Sequence, residues 1–189
     1  MPEAEQRPAK SAREAMVDAA WMLIAERGLE GMSTREVLAR TGAPRGSVYH
    51  HFPGGRTQLI ELALKRSQSW MRDQIMAIPA ESPEALISGY VGIWRKVLES
   101  TAFRAGCAAV GVVTGGDTPH MLDLGAEAFD TAVSALASRF QSFGLVPESA
   151  ASRATVLVCA AEGAVVLARA QRSTRPLDLV SVQLVGLKD

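Results

Sequence analysis

Cysteine is nearly absent: Cys107 and Cys159 are the only two in 189 residues, and they lack the Cys-x-x-Cys spacing of a metal or redox pair. Both sit among apolar neighbours and read as small buried hydrophobes in a reducing compartment. There is no net charge, with 20 Lys and Arg against 20 Asp and Glu, so nothing global advertises a polyanionic partner. The apolar run closest to a bilayer span, Ala154 to Ala168, carries Glu162 at its centre. The polar start MPEAEQRPAKSARE has no apolar core of a secretory signal. The expectation is a cytoplasmic protein with no membrane partner. Catalytic signatures are missing too. His-Glu-x-x-His and Gly-x-Ser-x-Gly do not occur, and the segment from Gly111 to Asp117 lacks the Lys-Ser/Thr ending of a phosphate loop. Cys107 and His120 are too weak a pairing to suggest a thiol and its base. No catalytic residue, cofactor or metal is expected, and the chain reads as a non-enzyme.

What is present is helical periodicity. After a polar, flexible tail over residues 1–11, Met16, Ala19, Ala20, Leu23 and Ile24 recur at helical spacing, and Gly28 ends the run. Ser33-Thr34-Arg35-Glu36 has the form of a capping box and opens a short helix closed by Thr41-Gly42. Pro44 is placed as a first-turn proline for another short helix to Phe52, and Pro53-Gly54-Gly55 breaks it. A long amphipathic helix follows from about Arg56 to Ile78, and Ser82-Pro83-Glu84 starts the next. The glycine-rich stretch from Phe103 to Gly116 fits a short helix with loops or a buried strand. Helix is the reading adopted, because its neighbours are helical. Further helices are expected from Pro119 to Gly144, from Pro147 to Gln171 and from about Leu177 to Val185. The fold class is all-α with about nine helices, divided into an N-terminal three-helix unit over residues 12–55 and a C-terminal helical bundle over residues 56–189.

Two short helices joined by Thr41-Gly42-Ala43 form a helix-turn-helix pattern, with glycine permitting the turn and a small alanine letting the helices approach. In the second helix Val48 and Phe52 face inward, four residues apart. Arg45, Gly46, Tyr49 and His50 fall on the other side, a poor solvent face but a good groove face. Arginine forks onto guanine O6 and N7, and serine, tyrosine and histidine suit phosphates or base edges. Residues 1–66 hold ten Lys and Arg against eight Asp and Glu, so local placement must carry any claim about DNA.

The stretch GLEGMSTREVLARTGAPRGSVYHHFPGGRTQLIELAL closely resembles the DNA-binding domain of TetR-family regulators. The likeness covers roughly residues 12–65. It implies a transcriptional regulator, most often a repressor, with Arg45 and Ser47 at the major groove and Tyr49 and His50 on backbone or base edges. It also implies that Thr34 and Arg56 hold phosphates at two helix N-termini. Pro44 stands where the family often has Ser or Thr, so a cap hydroxyl is missing there. FPGG, with AP ahead of RGS, is similar to the LmrA/YxaF-like subgroup. So is Phe103 to Cys107, although Ala108 replaces that subgroup's usual proline.

The helix across Ala154 to Ala168 is apolar nearly all round, so it needs cover on both sides. With the final helix it reads as an isologous four-helix interface between two copies, and the same arrangement is implied by the resemblance. Val158, Val165, Leu177, Val180 and Leu184 are the expected dimer contacts. A twofold dimer predicts a pseudo-palindromic operator in double-stranded DNA. Trp70, Tyr90, Trp94, Phe103, Cys107 and Phe129 read either as core or as the lining of an apolar cavity for a small-molecule inducer. Glu162 is costly to bury alone. Either it contacts a ligand or it pairs with an arginine such as Arg95 or Arg169.

Overall fold

The hydroxyl of Ser11 accepts the amide of Glu14, whose carboxylate reaches back to the Ser11 amide, and this reciprocal cap starts α1 (Ala12–Arg27). The computed structural model describes residues 11–116 and 118–186. Within them the chain is all-helical, with nine helices and no strand. The tail expected over residues 1–11 lies outside the described residues, apart from Ser11. Gly28, at φ 72°, ends α1 in a conformation that glycine tolerates.

Ser33 caps α2 (Thr34–Thr41), but only half of the expected box forms. Its hydroxyl accepts the Glu36 amide, while the Glu36 carboxylate turns instead to Arg27 at 3.3 Å. Gly42, left-handed at φ 69°, makes the turn. The next helix, α3 (Ser47–His51), is shorter than the sequence predicts, because residues 44–46 form a turn ahead of it. Val48 and Phe52 are fully buried, as their spacing predicts. Burying each contributes roughly 1.5–3 kcal/mol, enough to anchor a five-residue helix that would not hold by itself.

The backbone of the molecule is α4 (Gly55–Met76), which runs through two hydrophobic cores. Its first half puts Leu59, Ile60, Ala63 and Leu64 into the core of α1–α3. Its second half puts Met71 and Ile75 into the core formed with α5 (Pro83–Ser100), α7 (Pro119–Ser142), α8 (Pro147–Gln171) and α9 (Arg175–Gly186), chiefly against α7. An arginine fastens each end. Arg56 donates to the carbonyls of Leu29 and Met32, and Arg139 donates to those of Ile75, Met76 and Ile78.

The glycine-rich segment is helical, α6 (Ala108–Gly115). It packs across the boundary between the two units, since Ala105, Ala108 and Val112 join the core of α1–α3. Gly111 allows this: a Cβ there would lie 2.9 Å from the Ile24 carbonyl oxygen, so α6 and α1 meet backbone to backbone. Hydrogen bonds from Leu29 N to Gly111 O and from Gly106 N to Ala25 O seal the contact.

Candidate nucleic-acid interface and ligand cavity

Arg45 and Gly46 are exposed in the turn before α3, Tyr49 is 68% exposed on its outer face, and His50 is exposed beside it. Ser47 begins the helix and Thr34 begins α2, both partly exposed. All six expected contacts are therefore at least partly exposed, whereas Val48 and Phe52 of the same unit are buried. Charge sharpens the picture. Arg27, Arg40 and Arg66 are paired with Glu36, Glu26 and Asp18, whereas Arg45 forms no ion pair among the described residues. In a unit of nearly balanced charge, the guanidinium at α3 is left free.

Arg56 is engaged by its own chain. Its Nε and Nη2 donate to the carbonyls of Met32 and Leu29, at 2.9 and 2.6 Å. That makes it a brace between α4 and the loop ahead of α2, while the residue stays exposed near the start of α4. The sequence shows a basic residue in the right register, but not the loop carbonyls that it meets.

A cavity of about 230 Å³ opens between α1, α4, α5, α7 and α8. Of the expected lining residues it receives Trp70, Tyr90, Trp94, Cys107, Phe129 and Glu162. Phe103 is not among them. It follows α5 in a turn whose residues Ala102 and Phe103 have φ of 50° and 59°, and this swings it off the inward face towards a shallow groove with Arg104 and Arg169. Sequence reasoning missed Gln68 and, more importantly, the wall contributed by α1: Trp21, Met22 and Ala25. A tryptophan set beside the apolar stripe of α1 rather than on it was the available signal. Trp21 and Trp70 pack with ring centroids 5.6 Å apart, joining the two units across the cavity rim.

Among the described residues no cation pairs with Glu162. Arg95 pairs with Asp178, and Arg169 donates to the carbonyls of Glu26 and Arg104. Burial pushes the Glu162 carboxyl up to about 7, moderated by a hydrogen bond from Cys107. Desolvation, with the nearby Glu162 adding to it, also raises the Cys107 thiol and the Tyr90 phenol, so both stay protonated. Among the described residues three buried side-chain polar atoms lack a hydrogen-bond partner: Gln68 Nε2, Trp94 Nε1 and Glu162 Oε2. All three belong to residues lining this one cavity.

The expected dimer contacts need a correction. Val158, Val165 and Leu177 are at most 4% exposed and belong to the core of their own chain. Val180 and Leu184 are half-buried against that core. On a helix with no polar face, periodicity cannot say which arc faces home. The outward arcs are Val156, Cys159, Val166 and Leu167 on α8, with Leu179 and Val182 on α9. Among the described residues five of the nine large exposed hydrophobics lie there, so the exposed apolar surface is concentrated rather than scattered. By length and composition α8 could also cross a membrane, but it carries Glu162 and buries one face in the bundle.

Comparison with known proteins agrees with this geometry. Residues 16–63 match the family described as bacterial regulatory proteins, tetR family, and residues 83–183 match the transcriptional regulator LmrA/YxaF-like C-terminal domain. An uncharacterised HTH-type transcriptional regulator of Mycobacterium tuberculosis (strain ATCC 25618 / H37Rv) is 40% identical over 182 residues, covering 93% of each chain. The HTH-type transcriptional regulator LmrA of Bacillus subtilis is 26% identical over 174 residues, covering 87% of this chain and 90% of its own. A TetR transcriptional regulator from Legionella pneumophila has the same fold, with a TM-score of 0.83 at 16% identity over 94% of this chain and 97% of its own. The chain belongs to the TetR family of bacterial transcriptional regulators, DNA-binding proteins and not enzymes. Its C-terminal half sets it with the LmrA/YxaF-like regulators.

Proposed function

We propose that this regulator is a cytoplasmic homodimeric repressor, released from a pseudo-palindromic operator when an apolar or aromatic small molecule fills the cavity. One observation carries this reading: the cavity shares a wall with the DNA-binding unit, through Trp21, Met22 and Ala25 on α1. An occupant touches both α1 and α4, the two elements that set the tilt of the helix-turn-helix. A ligand that fits one tilt better than the other shifts the population and so the operator affinity. Arg45, Gly46, Ser47, Tyr49 and His50 read the operator, with Thr34 on the phosphate backbone. The outward arcs of α8 and α9 supply the twofold interface, which sets two recognition helices about 34–36 Å apart, one turn of DNA.

Fluorescence anisotropy on duplexes from the DNA flanking the regulator's own gene tests this. Tight binding that weakens steeply with salt is expected at a palindromic site. Addition of aromatic compounds is expected to weaken it further. Operator affinity that stays constant across a broad aromatic panel would sink the inducer reading.

A further inference from the structure

Among the described residues Glu162 is the only carboxylate lining the cavity, and no Lys, Arg or His lines it. Its Oε2 has no hydrogen-bond partner among them, and Arg95 and Arg169 are committed to Asp178 and to backbone carbonyls. The same cavity is lined by all three tryptophans of the chain, Trp21, Trp70 and Trp94, together with Tyr90 and Phe129. Half of the ten aromatic residues in the protein thus share a cavity with one uncompensated acid.

Aromatic faces carry negative charge density and attract a desolvated cation, and a buried carboxylate attracts it further. An anion is repelled by both. A neutral molecule fills the space but leaves the Glu162 charge unmatched. Size narrows the choice: about 230 Å³ is roughly half again the ~150 Å³ cavity that encloses benzene, which suits two fused rings with a short substituent.

Resting on the reading of this cavity as the inducer site, we propose that it selects an aromatic organic cation, its protonated nitrogen on Glu162 and its rings against the tryptophans. The Gln68 amide nitrogen, without an acceptor among the described residues, serves an acceptor elsewhere on the same ligand. Burial already pushes the Glu162 carboxyl up to about 7 in the empty cavity, and an arriving cation draws it back to the ionised form.

The tryptophans provide the readout, since all three report on this cavity. The probes are 1-naphthylmethylammonium, the neutral 1-naphthalenemethanol and the anionic 1-naphthoate, titrated against the full chain by tryptophan fluorescence. The cation is expected to bind at least ten-fold tighter than the alcohol, with the anion weakest. Glu162→Gln is expected to abolish the preference while keeping the alcohol's affinity. The wild-type ratio needs no variant, so a Gln form that fails to fold does not remove the test. Equal affinity for cation and alcohol, or a preference that survives in a folded Glu162→Gln, overturns the cation proposal and leaves the cavity reading intact. No response to any of the three overturns both.

Discussion

Arg169 Nη2 donates to the carbonyl oxygen of Glu26 at 3.0 Å, tying the last turns of α8 to the last turn of α1. The same nitrogen reaches Arg104 O at 2.7 Å, so three segments converge on one guanidinium. This tie and the Gly106–Ala25 hydrogen bond fix the α1 wall of the cavity to the C-terminal bundle. Hydrogen bonds from a charged donor contribute roughly 1.5–3 kcal/mol. Arg169→Ala is therefore expected to lower Tm by roughly 3–12 °C in a chain of this length. It should also blunt the effect of a cavity ligand on operator affinity, with ligand affinity itself little changed. An unaltered Tm together with unaltered ligand response would show that the tie transmits nothing.

Arg45 and Arg56 lie eleven positions apart and are expected to fail in different ways. Arg45 is exposed and has no ion pair among the described residues, so Arg45→Ala should leave Tm in place and relax base preference at one operator position, a discrimination of about 1–3 kcal/mol. Arg56 satisfies the Leu29 and Met32 carbonyls, so Arg56→Ala should unfold the helix-turn-helix more readily, costing about 2 kcal/mol. Thermal melts and binding to a set of single-base operator variants separate the two. Arg56→Ala with a wild-type melt and uniformly weaker DNA binding would point to the phosphate role that the sequence suggests.

The sequence makes most of this architecture legible because its helix boundaries are written in local chemistry. Ser82-Pro83 starts α5, Pro119 starts α7, Pro147 starts α8, and Gly28 and Gly42 stop α1 and α2. The inward pair Val48 and Phe52 is legible for the same reason. What stayed hidden depends on non-local partners. Periodicity could not orient α8, whose apolar surface runs all round, so Val158 and Val165 were placed at the dimer face when they face home. The Leu29 and Met32 carbonyls that engage Arg56, and the contact of α6 with α1 through Gly111, involve residues far apart in sequence. The cavity was visible as a composition, but its α1 wall was not.

Glu162 makes stability depend on pH in a specific direction. Its folded pKa, pushed up to about 7, lies above the ordinary glutamate value of about 4.3. Between those values the folded state holds the proton more tightly than the unfolded state, so stability falls as pH rises through the window and stays lower above it. The full effect is on the order of 3 kcal/mol. Tyr90 and Cys107, the other titratable groups facing the carboxyl, are both raised by burial and stay neutral throughout the window. The Tm of Glu162→Gln minus that of the wild type is expected to grow from pH 5 to pH 8. A difference that does not change with pH would mean that Glu162 does not titrate in this range.

The outward arcs of α8 and α9 give the dimer its sharpest test. Val166 is 53% exposed and Val182 67%, while Val158 on the same α8 helix is 4% exposed. A carboxylate introduced at an apolar interface must be desolvated without a partner, whereas the same group on a free surface costs little. Val166→Glu and Val182→Glu are thus expected to yield folded monomers with wild-type helicity and strongly weakened operator binding. Val158→Glu is expected to unfold the bundle. Cys159 is exposed on the outward arc of α8, so mild oxidation should trap a covalent dimer that Cys159→Ser cannot form. Sedimentation and non-reducing electrophoresis read both results. If Val166→Glu sediments as a dimer with full operator affinity, the interface lies elsewhere, and the exposed apolar arc needs another occupant.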